Sequence, residues 1–395
     1  MRVLPAALLA LVACGPVRES VAPAPLLPRS DARFGTVVEY LRSQVDSAFP
    51  GAVVAVGRRD SLLLLSAVGH YGIDDPAPVT TGTIYDLASL TKVIGLTTSV
   101  MLLVGSAKLD LDEPVQRYVA AFQGANKEFV TIRHLLTHSS GLPAWRPLYR
   151  EAESRETALA LADTTALIRQ PGDTFVYSDL GAIVLTQVVE AITGQRIDRF
   201  LADNVFSPLQ MTSTRFLPPE GWRARIAPTE NDSSFRHRTL RGEVHDENSA
   251  RLDGVSGHAG LFSSAPDLVR FAQWLLNRRM AQGGENAPAA DVRRLSPPLV
   301  QQFTTRQDIP PGSSRALGWD TPSESSSAGT KLSRNAFGHT GFTGTSLWID
   351  PERDLFIILL TNRVNPTRAN TRILRVRRQL ADLVVDALNA GAASQ

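Results

Sequence analysis

Strand-like and helix-like stretches are distributed unevenly along this chain, and that distribution constrains its fold more than any other feature. Near the N-terminus, Ala52–Val56 and Leu62–Val68 are β-like runs separated by Arg58-Arg59-Asp60, a hairpin pattern. Near the C-terminus, Thr345–Ile349 and Leu355–Leu360 flank a turn at Asp350-Pro351-Glu352. The second of these runs is apolar without alternation, as in a strand buried on both faces. Phe34, Val37, Val38, Leu41 and Val45 recur at helical spacing before Pro50-Gly51 stops that helix, and a last helix is expected over about Thr371–Leu388. Between the two ends, from Leu109 to Arg294, the periodic segments are mainly helical, for example Leu180–Ile192 and Leu268–Leu276. Sequential hairpins make antiparallel pairs, so the simplest architecture is an α+β fold in which one antiparallel sheet is built by both ends of the chain and carries an inserted helical lobe. The sheet lobe then takes residues 33–108 and 305–395, and the all-helical lobe residues 109–304. A cleft between two such lobes is a natural ligand site. Two loop-like regions, Pro218–Asn248 and the Ser-rich Gly312–Gly329, are expected as flaps or surface insertions.

With 43% hydrophobic and 20% charged residues and a net charge of +2, the chain reads as an ordinary globular protein without a nucleic-acid footprint. Its one dense basic run, Arg368, Arg372, Arg375, Arg377 and Arg378, reads as the solvated face of the last helix. At the start, Met1-Arg2 precedes an uncharged, mainly apolar stretch, Val3 to Val12, which has the length of a signal-peptide core and is too short to span a bilayer. Residues 1–13 are therefore expected to be a signal peptide. Leu11-Val12-Ala13-Cys14 resembles a bacterial lipobox, which makes Cys14 the expected lipidation site and the membrane the expected partner through a lipid anchor. Cys14 is the only cysteine, which excludes intrachain disulfides and Cys-based metal clusters. Residues 14–32, rich in Pro and Ala, read as a tether. The expectation is an exported, monomeric lipoprotein of the bacterial cell envelope.

One lysine stands out. Between Asp86 and Lys108 the sequence is LASLTKVIGLTTSVMLLVGSA, and Lys92 is its only charged residue. Apolar residues occupy every face of the implied helix, which marks it as buried. Burial lowers a lysine pKa by up to ~3–5 units, so the amine is expected neutral and able to act as a general base. Ser89 lies three residues earlier and shares its helical face. It also falls at the first turn, where free backbone N–H groups favour developing negative charge and its own N–H can serve an oxyanion hole. The Ser-x-x-Lys spacing alone is weak, and its apolar setting gives it weight.

A nucleophilic serine also needs a proton relay and a second oxyanion donor. Tyr177 lies on a loop, Pro171–Asp179, just before the helix Leu180–Ile192. Phe337-Gly338-His339-Thr340-Gly341 precedes the C-terminal hairpin, and its glycines allow another backbone to approach. Taken in order, Ser89-x-x-Lys92, Tyr177-x-Asp179 and His339-Thr340-Gly341 resemble the Ser-x-x-Lys, Tyr-x-Asn and Lys-Thr-Gly stations of the serine β-lactamase-like, penicillin-recognising superfamily. The resemblance covers about Phe34 to Leu388. It includes His134–Leu142, Phe206–Thr212 and Val244–Phe262, the last being similar to penicillin-binding-protein-4B-like hydrolases. It implies a β-lactamase/transpeptidase-like fold, a three-layer α/β/α sandwich with an antiparallel sheet plus a helical lobe. It also implies an acyl-enzyme at Ser89, proton traffic shared by Lys92 and Tyr177, and an oxyanion hole from the backbone N–H groups of Ser89 and Phe342. His258, Asp179, His339, Thr340 and Gly341 become candidates for binding or supporting substrate, and no metal or cofactor is implied.

Two residues depart from the pattern. Asp179 replaces Asn and adds a carboxylate that favours protonated Lys92; if the pair titrates together, neither group owns a single pKa. His339 replaces Lys, which resembles the D-aminopeptidase and esterase-like branches and removes a permanent cation for a substrate carboxylate. The expected substrate is accordingly a small ester, amide or D-amino-acid peptide, with weak or absent β-lactam hydrolysis. A D,D-carboxypeptidase of cell-wall peptides and a catalytically silent penicillin-binding or sensing module are the alternatives. His134 and His138 are spaced to share a metal on a helix, yet no His-Glu-x-x-His pattern accompanies them. Asp246 and Asn248 stay undecided between site and scaffold. No Gly-x-Ser-x-Gly elbow, Walker loop or Gly-x-Gly-x-x-Gly fingerprint occurs.

Overall fold

The computed structural model describes residues 26–27, 29–281 and 291–392. Cys14, the expected signal peptide and most of the expected tether lie outside them. The first end of the chain supplies β1 (Arg29–Ser30), β2 (Gly51–Gly57), β3 (Leu62–Gly72), β4 (Asp75–Pro78) and the short β5 (Ile84–Asp86). The middle adds β6 (Asn231–Asp232), β7 (Arg238–Thr239) and β8 (Phe262–Ser264), and the second end adds β9 (Phe337–Thr340), β10 (Ser346–Asp350) and β11 (Leu355–Thr361). The main sheet runs β1-β3-β2-β11-β10-β9 with β4 on β3, and every pair is antiparallel. The two chain ends meet in its centre, where Val54 pairs with Leu359.

Both central strands are buried throughout because their alternate residues serve two different cores. Ala52, Val54 and Val56 of β2 join Leu355, Ile357 and Leu359 of β11 against an outer layer, the helices Gly35–Ser43 and Ile373–Ala392. Val53, Ala55, Phe356, Ile358 and Leu360 face the larger inner core, which includes the helix Ala265–Met280. A period of two with apolar residues on both faces reads in sequence as an unbroken apolar run. The result is an α+β fold of helices, antiparallel sheet and helices.

Three expectations need correction. Arg29–Ser30, assigned to the tether, pairs with Leu65 and Leu64 at the sheet edge. The middle of the chain is not wholly helical, since β6 pairs β7, and β8 pairs β5 immediately before Ser89. Strands of two or three residues are too short for alternation to register in sequence. Within the basic run, Arg377 is 6% exposed and is not part of a solvated face. It shares a stripe of the last helix with the buried Ile373, Leu380, Ala381 and Val384.

The apolar run around Lys92 is helical but not uniformly α. Ala88–Leu90 is a tight 3-10 turn, Lys92–Thr97 is π-helical, and Thr98–Gly105 is α-helical. Thr98 Oγ1 donates to Val93 O five residues back at 3.0 Å, matching the wider turn. Widened turns of this kind often occur at functional sites.

Candidate active site

Ser89 sits where β5 gives way to this helix. The residue before it, Ala88, has φ +46°, a left-handed conformation that costs a residue bearing a Cβ roughly 1–2 kcal/mol. Local bonds hold it: Ala88 N–H donates to Asp86 Oδ1 at 2.8 Å, and Leu87 N–H to Leu261 O at 2.9 Å. Asp86 is buried, which raises its pKa, and its other oxygen accepts His245 N–H at 2.7 Å.

Lys92 is 3% exposed, and its Nζ is surrounded by oxygen atoms, the Tyr177 oxygen among them. It lies 2.9 Å from Ser89 Oγ, 2.9 Å from His258 O and 2.7 Å from Asp179 Oδ1. The neutral amine expected from burial alone gives way to the protonated form that Asp179 was expected to favour. Burial pushes the lysine down, but the Asp179 carboxylate and the Tyr177 oxygen outweigh it and hold the ammonium above its ordinary range. Desolvation is legible in the run around Lys92, and the carboxylate in the Tyr177-x-Asp179 station; that the two meet at 2.7 Å and that the carboxylate outweighs burial is decided by tertiary contact.

Asp179 opens the helix Asp179–Thr193, whose N-cap Ser178 accepts Gly181 N–H at 3.1 Å. Tyr177 therefore precedes the cap and projects into the site, with its ring centre 5.1 Å from Lys92 Nζ. His138 supports it, with ring centres 4.5 Å apart. The His138 Nδ1 accepts Ser178 N–H at 3.2 Å, and its O accepts Val176 N–H at 2.8 Å. His134 caps its own short helix with Thr131, so the two histidines are engaged separately. Burial and neighbouring Arg315 hold His138 well below the usual histidine range.

Opposite lies β9. His339 lines the cavity, its Nδ1–H donates to Thr340 O at 2.8 Å, and its Nε2 has no partner among the described residues. Burial, Arg315 and Lys92 hold it well below the usual range, so the imidazole is neutral at physiological pH. Gly341 has no room for a side chain, since an added Cβ would stand 2.3 Å from Leu87 O. That close approach brings the turn after β9 against the Ser89 segment, where Thr343 Oγ1 donates to Asp86 O at 2.7 Å and Thr345 Oγ1 to Leu87 O at 3.0 Å. Among the described residues, neither Ser89 N–H nor Phe342 N–H donates to another backbone group.

These groups surround a cavity of about 460 Å³ lined by Ser89, Tyr177, Arg315, His339, Gly341 and Phe342 among others. A second cavity of about 630 Å³, edged by Ser313, Ser314 and Ser325–Ser327, shares Arg315 and Arg377 with it. His258 does not line the cavity. Its ring is fully buried between Ser256 Oγ at 2.7 Å and Asp246 Oδ1 at 2.8 Å, and only its carbonyl reaches Lys92. Asp246 also caps the helix Glu247–Arg251, and Asn248 bridges Tyr149 N and Arg146 O, so both act as scaffold.

Sequence reasoning missed three arginines of the cavity wall: Arg315, Arg363 and Arg377. Arg315 lies 3.7 Å from Asp320, packs over Tyr177, and leaves a buried Nη1 without a partner among the described residues. It therefore returns a cation to the wall on which His339 replaces lysine. Nothing in the local sequence marked it. Arg377 could have been found by the signal that exposed Lys92, a charge on an apolar helical stripe.

A family model described as Beta-lactamase matches residues 36–382. A protein of Escherichia coli (strain K12) that carries the name D-alanyl-D-alanine carboxypeptidase is 31% identical over 370 residues, covering 84% of this chain and 82% of that one. Among solved structures, a penicillin-binding protein homologue from Caulobacter crescentus is similar with a TM-score of 0.72 at 17% identity, over 91% of this chain and 99% of that one. The hydrolase EstCE1, described as having promiscuous acyltransferase activity, is similar with a TM-score of 0.70 at 22% identity, over 89% of this chain and 98% of that one. The two structural likenesses concern the fold, whereas the family model spans nearly all of the described residues; the chain belongs to the beta-lactamase family.

Proposed function

We propose that the protein is a serine hydrolase that works through an acyl-enzyme on Ser89. One observation carries the reading: a buried lysine nitrogen lies 2.9 Å from the serine oxygen at a cavity wall. An ion pair with Asp179 would satisfy Lys92 structurally, but it does not require an alcohol as a further neighbour. In the proposed chemistry the ammonium first passes a proton to Asp179, 2.7 Å away, which frees the amine to take the Ser89 proton. The new Oγ–C bond forms as the carbonyl π pair moves onto its oxygen, and the resulting oxyanion then re-forms the C=O bond as the C–O or C–N bond to the leaving group breaks. The leaving group takes its proton through Lys92 and Tyr177; water then adds to the acyl carbonyl, its proton passes to Ser89 Oγ as the Oγ–C bond breaks, and Asp179 hands its proton back to Lys92. Ser89 and Phe342 N–H groups stabilise the oxyanion.

Within this reading, the substrate class is a small ester, amide or D-amino-acid peptide. The Arg315 Nη1, which has no partner among the described residues, favours a substrate with a carboxylate beside the scissile bond, such as a peptide ending in D-alanine. The carboxypeptidase name of the 31%-identical relative is in keeping with that choice. The test uses a fluorophosphonate probe, a neutral p-nitrophenyl ester and a D-alanyl-D-alanine peptide. Labelling and turnover are expected to vanish in Ser89→Ala; turnover that survives overturns the acyl-enzyme reading. Stable labelling without turnover of either substrate favours a silent binding module instead. In Arg315→Met, KM for the peptide is expected to rise by about 10–100-fold, with the ester unaffected. An equal change for both substrates rejects the carboxylate reading.

A further inference from the structure

We infer that Arg377, from the outer helix layer, is a positioning residue that aims and polarises the Phe342 N–H of the oxyanion hole. This rests on the acyl-enzyme reading above. Arg377 Nη2 donates to Gly341 O at 2.6 Å and to Thr345 O at 2.7 Å. Both carbonyls already accept backbone N–H groups, from Gly344 at 3.1 Å and Gly341 at 2.7 Å, so the turn closes without the arginine. A buried guanidinium added to a closed turn calls for another explanation.

The explanation lies in the peptide plane. Gly341 C=O and Phe342 N–H belong to one peptide unit, which is planar, and in the trans form the two bonds point in opposite directions. Fixing the oxygen from behind therefore aims the N–H forward. A cation on the oxygen also withdraws charge from the amide and makes its N–H a stronger donor. The same turn is tied in front by Thr343 and Thr345 to Asp86 O and Leu87 O, on the segment that carries Ser89. Arg363 Nε adds a hold on the next carbonyl, Phe342 O, at 2.8 Å. The two oxyanion donors are thus held relative to each other by threonines on one side and arginines on the other.

Arg377 also borders the cavity, so direct contact with substrate is the competing role. The two roles differ in what they change. Positioning predicts that Arg377→Met lowers kcat by about 10–100-fold on the neutral ester and on the carboxylate peptide alike, with KM within about twofold. Affinity for a boronic acid that forms a tetrahedral adduct on Ser89 is expected to fall in parallel. Arg377→Lys, with a shorter reach, should lose less, and added guanidinium at millimolar concentration should partly restore Arg377→Ala. A folded Arg377→Met with unchanged kcat overturns the inference, as does a loss confined to KM of the peptide. Should Arg377→Met not fold, wild-type kcat and boronate affinity in Arg377→Lys overturn it equally. Ser89→Ala is measured alongside: Ser89-independent turnover defeats the acyl-enzyme reading, whereas Ser89-dependent turnover insensitive to residue 377 defeats only the positioning role.

Discussion

Lys92 and Arg377 are both cations on otherwise apolar helical stripes, and the protein accommodates them in opposite ways. Lys92 faces a carboxylate, Asp179, together with an alcohol and a carbonyl. Arg377 meets two carbonyl oxygens and, among the described residues, no carboxylate. A carboxylate can accept a proton, so the first arrangement is suited to moving one. A carbonyl can only accept a hydrogen bond, so the second is suited to holding backbone in place. Burial and neighbouring Arg363 push Arg377 down to about 9, which still leaves it cationic at neutral pH. A buried cation is therefore informative about chemistry only once its acceptors are known.

The contrast can be broken at several points. The largest expected effect is at the proposed proton carrier: Lys92→Met should lower kcat/KM by about 10²–10⁴-fold, measured on the neutral ester, while a loss below tenfold would remove Lys92 from the chemistry. Next comes its acceptor. The Asp179 carboxylate holds the ammonium above its ordinary range, so Asp179→Asn lowers the lysine pKa. Because the amine must lose a proton to act as base, the ascending limb of the kcat/KM profile should move to lower pH in that variant. A limb that stays put, or moves to higher pH, contradicts the pairing. The smallest effect is expected at Arg375, an exposed member of the basic run two residues before Arg377. Arg375→Ala should leave kcat within twofold and Tm within about 2 °C. A loss like that proposed for residue 377 would show that the charge of the run matters and not the particular pair of carbonyls.

Much of this molecule is legible in its sequence because the relevant signals are local. The unbroken apolar run Leu355–Leu360 identifies a strand with two buried faces, and β11 is buried along its whole length. Ser89 and Lys92 are brought together by helical spacing alone, and one charge in an apolar run flagged them. Gly341 marked a close approach, and Leu87 O fills that space. Other features carry no such signal. Arg315 lies in a loop without periodicity, so its direction follows from packing. The imidazole of His258 turns away from the cavity because Asp246 and Ser256 capture it.

The sequence by itself determined the antiparallel strands at both ends, the buried helix between them, and the serine–lysine pair one turn apart, because each depends on neighbours within a few residues. Tertiary structure decided that the Asp179 carboxylate stands 2.7 Å from Lys92 and outweighs its burial, which arginines line the cavity wall, and which groups tie the Gly341–Thr345 turn to the Ser89 segment. The physical reason is distance along the chain. The tie from Thr345 to Leu87 spans 258 residues, and no local pattern of propensity or spacing encodes which groups meet across such a gap.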